Sequence, residues 1–271
     1  MPRAAVLGSP IAHSLSPALH RAAYAAMGLD GWTYDAIECD EAGLASFLDG
    51  LGPEWAGFSL TMPLKRTVLK LVDEASELAV AVGGANTLVL RDGRRYCDNT
   101  DVYGIVTALT EAGVTAPGSA VVLGAGATAA SALAALGDLG LTTVTVAVRD
   151  PARAEETRSV GERLGLAVRV TTLDALPEAL PADLVVSTLP GTAADPYAEV
   201  VARSGAALFD VVYAPWPTGL ARAVAAAGGT VVGGFPMLLH QAVGQVAAMT
   251  GRRDVPVEAM RAAGEAELAR R

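Results

Sequence analysis

From residue 119 onward the chain repeats one pattern: a short apolar run, a glycine-marked turn, then an Ala/Leu-rich amphipathic stretch. The apolar runs at 120–123, 143–148, 167–171, 184–187, 207–212 and 230–232 are predicted strands. Runs this uniform, separated by helical stretches, belong to strands covered on both faces, the environment of a parallel doubly wound sheet. The first hundred residues alternate as well, with strands predicted at 4–7, 33–38, 57–60 and 87–90 and a helix after Ser16-Pro17. The expected fold class is therefore α/β: an N-terminal α/β domain (1–103) and a doubly wound, Rossmann-like domain (104–236), with a cleft between them. A helix at 102–112 is expected to lead from one to the other, and a helical stretch at 237–271 to return and complete the first.

Composition narrows the picture. A length of 271 residues fits two domains, and 52% hydrophobic against 18% charged residues excludes disorder as the main state. The net charge of −9 gives nucleic acid or an anionic membrane little to hold, so neither is expected as a partner. Charge-free runs at 112–137 and 223–251 are broken by glycines, Pro117, Pro236, His240 and Gln241 and read as protein core. The N-terminus lacks the apolar stretch of a signal peptide, making the cytoplasm the expected compartment. Cys39 and Cys97 form neither a CxxC nor a Cys/His cluster, so no metal site or disulfide framework is indicated.

The strand at 120–123 runs into Gly124-Ala125-Gly126-Ala127-Thr128-Ala129 and then a helix. The first glycine permits a tight turn, the second lets backbone approach a pyrophosphate, and the helix N-terminus supplies N–H donors. The next strand ends at Arg149 and Asp150, 25 and 26 residues after Gly124. An acid there would accept the ribose hydroxyls of NAD, whereas an arginine would pair with the 2′-phosphate of NADP. Both types are present. Arg149 and Arg153, one helical turn apart, could converge on the phosphate while Asp150 caps the helix, which favours NADP over NAD.

In the N-terminal half, the run GSPIAHSLSP (8–17) sets two hydroxyls, Ser14 and Ser16, at a strand-to-helix junction, where they suit a carboxylate or where Ser16 caps the helix. Three further loops follow: SLTMPLK (59–65), GANT (84–87) and DNTD (98–101). With 8–17, these runs match the patterns GxPIxHSxSP, TxPxK, GAxNT and DNTDxxG; a GxxMLxxQA pattern at 234–242 and an Asp-x-x-Tyr at 210–213 complete the set. On these motifs the chain resembles the shikimate dehydrogenase family over nearly its full length.

Carried over by position, the resemblance implies that Ser14, Ser16 and Tyr213 bind the substrate carboxylate and that Thr61, Asn86 and Gln241 bind ring hydroxyls. Lys65 and Asp101 become the catalytic pair, and the backbone of Val211 and Gly234 lies near the nicotinamide. The implied reaction is hydride transfer between NADPH and 3-dehydroshikimate, giving shikimate, in aromatic amino acid biosynthesis. It needs a small-molecule substrate and no metal. The chain departs from the family pattern at Ser59, where asparagine is frequent, at Ala127-Thr128 in the glycine turn, at Asp150 after Arg149 and at 187–190. Asp150 and the altered turn motivate an alternative, a relative using NAD on quinate or an amino analogue of shikimate. A non-catalytic shikimate-binding regulator is disfavoured, because Lys65 and Asp101 are both retained. The sequence leaves monomer and homodimer open.

Overall fold

The structure, a computed structural model, describes residues 1–271 apart from the side chain of Arg153, so the expected contribution of Arg153 to cofactor binding lies outside the described residues. By its internal contacts the chain divides into two compact units, residues 1–100 with 239–271, and residues 101–238.

The first unit carries a six-stranded mixed sheet: β1 (Arg3–Gly8), β2 (Thr33–Glu38), β3 (Trp55–Leu60), β4 (Glu74–Ala75), β5 (Thr87–Arg91) and β6 (Arg94–Asp98), in the order β2-β1-β3-β5-β6-β4. β1 pairs parallel to β2 and β3, and five of its six residues are buried, as the apolar run demands. β5 and β6 form an antiparallel hairpin turned by Asp92 and Gly93, both with positive φ (52° and 72°). Helices α1 (Ser16–Ala26), α2 (Glu41–Asp49), α3 (Leu64–Thr67) and α4 (Glu77–Val82) follow β1, β2, β3 and β4. α1 buries one face, Leu19, His20, Ala23 and Tyr24.

The expectation that Ser16 caps α1 is corrected. Ser16 is the first helical residue and is buried, whereas Ser14 Oγ accepts from the Ser16 N–H at 3.2 Å. β4 and β6 were not among the predicted strands. β4 has two residues, and β6, RRYCD, is too charged to stand out as an apolar run.

The second unit opens with α5 (Asp101–Glu111) and holds β7 (Ala120–Leu123), α6 (Ala127–Asp138), β8 (Thr143–Val148), α7 (Glu155–Arg163), β9 (Ala167–Thr172), α8 (Leu176–Ala179), β10 (Leu184–Ser187), α9 (Ala198–Ser204), β11 (Ala207–Asp210), α10 (Gly219–Ala226) and β12 (Val231–Val232). Its sheet is parallel throughout, in the order β12-β11-β10-β7-β8-β9. Strand order reverses between β7 and β10, which opens a crevice at their carboxyl ends. β7 and β10 are buried along their whole length, as expected of strands covered on both faces. α11 (Gly234–Thr250) begins three residues before the predicted start at Met237, and α12 (Val257–Leu268) packs against α1. Among the described residues no helix is long and apolar enough to cross a membrane, and Cys39 and Cys97 are free and buried.

Two buried polar anchors stand out. In the first unit His20 is stacked on Tyr34, ring centroids 3.9 Å apart, and its Nδ1 lies 2.9 Å from the Ser16 carbonyl, so Nδ1 carries the proton. Nε2 is buried without a hydrogen-bond partner. Burial lowers the His20 pKa from 6.5 to about 4, against the opposing pull of the Ser16 carbonyl. In the second unit Asp210 ends β11. Its Oδ2 accepts from Thr218 Oγ1 at 2.7 Å and its Oδ1 from the Val212 N–H at 3.2 Å, while Thr218 Oγ1 accepts from the Ala221 N–H at 3.0 Å to cap α10. Burial raises the Asp210 carboxyl pKa, and these hydrogen bonds moderate the rise. Asp210 thus pins the loop 211–218 at both ends.

The unfolded chain protonates His20 near pH 6.5 and the folded chain only near 4, so stability present at neutral pH is lost as pH falls through that window. Between pH 7 and 4.5 the wild type is expected to lose about 2 kcal/mol more than His20→Phe in urea unfolding; equal losses contradict this. Thr218→Val is expected to lower stability by about 1–2 kcal/mol, with Thr218→Ser recovering most of it. Unchanged urea midpoints would remove the anchor.

Candidate active site

In the first unit, backbone interactions bring the sequence motifs together. Gly8 sits where a Cβ would lie 2.4 Å from Thr61 Cγ2 and 2.9 Å from the Met62 carbonyl, so only glycine permits this approach. The Ser9 N–H donates to the Met62 carbonyl at 3.0 Å and the Thr61 N–H to that of Leu7 at 3.0 Å, which ties the Ser14 loop to the Thr61–Lys65 segment. Lys65 lies half-buried on α3, and its carbonyl accepts from the Ala85 N–H at 2.7 Å. Asn99 Nδ2 donates to the Gly84 carbonyl at 2.8 Å, joining the loops at 84–87 and 98–101.

Asn86 is the hub, 1% exposed. Its Oδ1 accepts from the Thr100 N–H (2.8 Å), Thr87 Oγ1 (2.9 Å) and Thr100 Oγ1 (3.1 Å). Its Nδ2 donates to Gln241 Oε1 at 3.1 Å, and Gln241 is itself buried. Ser14, Ser16, Thr61, Lys65, Asn86 and Gln241 thus all belong to the first unit. Four strand-end loops and one turn of α11 concentrate hydroxyls, carboxamides and an ammonium there, a donor set suited to a small polyhydroxylated acid.

Asp101 follows Thr100 directly and opens α5, 3% exposed. By the division of the chain it belongs to the second unit, together with Tyr213, Val211 and Gly234. A Cβ on Gly234 would lie 2.0 Å from the Val211 carbonyl, so glycine is obligatory and these two residues are neighbours. Tyr213 is half-buried in the loop pinned by Asp210.

At the crevice of the second sheet, Gly124 has φ +106°, and a Cβ there would meet Thr188 Oγ1 at 2.6 Å. Thr188 donates through both its N–H (3.0 Å) and Oγ1 (2.8 Å) to the Leu123 carbonyl, so the replacement at 187–190 serves to fasten the turn. Gly126 is the N-cap of α6 and no side chain caps the helix; a Cβ on Gly126 would meet nothing within 4 Å. Ala125, Ala127 and Thr128 are at least partly exposed around it. Open space before uncapped N–H groups at a helix start fits a pyrophosphate. Arg149, at the end of β8, is exposed. Asp150 Oδ1 accepts from the Ala152 N–H at 3.0 Å, so its carboxylate caps the following turn.

Sequence reasoning missed three side chains. Tyr34 and Gln245 lie buried beneath Asn86, joined through Ser59, and Arg271 donates to the carbonyls of His13 (2.5 Å) and Ser14 (3.4 Å). Gln245 stands four residues after Gln241 in α11, on the same helix face, a spacing that could have flagged it.

The family model for the shikimate dehydrogenase substrate-binding domain matches residues 6–88, and that for the shikimate 5′-dehydrogenase C-terminal domain matches 234–263. Shikimate dehydrogenase (NADP(+)) of Methylocella silvestris is 38% identical over 276 aligned residues, covering 98% of this chain and 97% of that one. The crystal structure of Mycobacterium tuberculosis shikimate dehydrogenase superposes with a TM-score of 0.89 at 47% identity, covering 98% of this chain and 100% of that one. Shikimate 5-dehydrogenase of Thermus thermophilus, in complex with NADP(H) and shikimate, gives 0.86 at 34% identity, with 98% and 100% coverage. With full-length likeness at this identity and the motifs gathered as described, the chain belongs to the shikimate dehydrogenase family.

Proposed function

We propose that the protein catalyses reversible, NADP-dependent reduction of the ketone of 3-dehydroshikimate to shikimate. The observation that carries this is the convergence on Asn86 of the loops bearing Thr61, Lys65 and Thr100, together with Gln241, in a chain of this family. Ser14 and Ser16, with Tyr213, take the carboxylate, and Thr61, Asn86 and Gln241 take the ring hydroxyls. NADPH supplies the hydride. As it reaches the carbonyl carbon, negative charge develops on oxygen, and the Lys65 ammonium stabilises that charge and delivers or relays the proton. Asp101 is its partner in the catalytic pair. The turn at 124–128 and the start of α6 hold the pyrophosphate, Arg149 reads the 2′-phosphate, and the backbone of Val211 and Gly234 borders the nicotinamide. The engagement of Asp150 Oδ1 with the Ala152 N–H turns that side chain toward the cap of the following turn, which leaves Arg149 as the residue placed to read the 2′-phosphate and supports NADP over NAD.

Turnover of shikimate with NADP, set beside quinate and NAD, tests this reading. Shikimate with NADP is expected to give the highest kcat/KM; equal or better rates with NAD or quinate would replace it with the alternative. Lys65→Ala is expected to lower kcat by about 10²–10⁴ with a smaller change in KM, and an unchanged kcat removes Lys65 from the reaction. Arg149→Ala should raise KM for NADP more than for NAD. Parallel losses would show that it does not read the 2′-phosphate.

A further inference from the structure

Beneath the proposed substrate groups of the first unit runs a buried line of polar side chains. Tyr34 on β2, Ser59 on β3 and Gln245 on α11 are 0%, 3% and 1% exposed. The Tyr34 hydroxyl donates to Ser59 Oγ at 2.6 Å, and Ser59 Oγ donates to Gln245 Oε1 at 2.7 Å. Gln245 Nε2 in turn donates to the Asn86 carbonyl at 2.9 Å, which also accepts from the Leu60 N–H at 2.7 Å.

The direction of every bond follows from its end. The Asn86 carbonyl can only accept, so the Gln245 amide must point its nitrogen there and its oxygen toward Ser59. A carboxamide oxygen can only accept, so Ser59 must donate its single proton to it. Ser59 then accepts from Tyr34. Burial pushes the Tyr34 phenol well above its usual pKa, keeping the proton this requires, and the side chains of Ser59 and Ser16 pull weakly the other way. The line therefore has one arrangement and extends from Tyr34, which Ser16 also influences, to the backbone of Asn86.

We infer that Tyr34, Ser59 and Gln245 form a positioning relay that fixes Asn86, and through it Gln241, for the substrate's ring hydroxyls, with Gln245 as its decisive member. The inference rests on the proposed function and goes beyond it, since none of the three is among the groups placed on the substrate. Removing the Ser59 hydroxyl strands the Tyr34 proton and the Gln245 oxygen. Removing the Gln245 amide strands Ser59 and one lone pair of Asn86. In either case the Asn86 carbonyl loses a partner or that partner's fixed geometry and keeps only the Leu60 N–H as a fixed donor, while the nucleotide-binding turn, in the other unit, makes no bond to the line.

The test is steady-state kinetics on the full-length enzyme, wild type against Ser59→Ala, Gln245→Leu, the double variant and Ser59→Thr, with urea unfolding of each. Each single variant is expected to raise KM for shikimate about tenfold, with KM for NADP unchanged and kcat within about threefold of wild type. The double variant should be no worse than the poorer single one, because both break the same line, and Ser59→Thr should recover at least half of the loss. The inference is overturned if folded single variants keep the wild-type KM for shikimate. It is equally overturned if both KM values move together, or if the single effects multiply in the double variant. A wild type that does not turn shikimate over removes the proposed function itself, and the relay's role with it. An active wild type with indifferent variants removes the relay alone.

Discussion

A buried carboxamide whose oxygen accepts three hydrogen bonds has one orientation, and the first unit is arranged around such a group. Asn86 draws donors from Thr87 and from both backbone and side chain of Thr100, and gives a proton to Gln241. In the interior each bond left unmade carries a desolvation penalty of about 1–3 kcal/mol. The loops at 84–87 and 98–100 and the turn of α11 around 241 therefore stay in register. Gly8 and the Met62 and Lys65 carbonyls extend that constraint to the Ser14 and Lys65 segments.

The two units meet different chemical demands with related means. The second, in the proposed reading, offers phosphate room and N–H donors through a glycine at φ +106° and a helix start with no side-chain cap. The first, in the same reading, holds hydroxyls and amides in fixed positions, and it does so with buried polar residues such as Asn86, Thr87, Thr100, Gln241 and Gln245 that satisfy one another.

Much of this was legible in the residues. The strands at 120–123, 143–148 and 184–187 were read to the residue, the first and last because full burial leaves an unbroken run of small and apolar residues and the middle one because its valines alternate with threonine and alanine. The hairpin partner β6 was missed despite its Asp92-Gly93 turn, since a charged strand carries no apolar signal. The expected cap at Ser16 failed because α1 starts at Ser16 itself, a one-residue choice that composition does not resolve. Motif likeness pointed to Asn86 and Gln241 as site residues, yet said nothing of Tyr34 and Gln245. Their importance lies in hydrogen-bond direction, which only three-dimensional placement reveals.

The central claim is that the polar loops gathered on Asn86 form the binding surface for a hydroxylated cyclic acid. A crystal structure of the enzyme with shikimate tests it most directly. The account predicts ring hydroxyls within about 3 Å of the Asn86 and Gln241 side chains and the carboxylate at a similar distance from the hydroxyls of Ser14 and Ser16. Shikimate bound elsewhere, or bound there with its carboxylate on Asn86 and its hydroxyls on the serines, would contradict it.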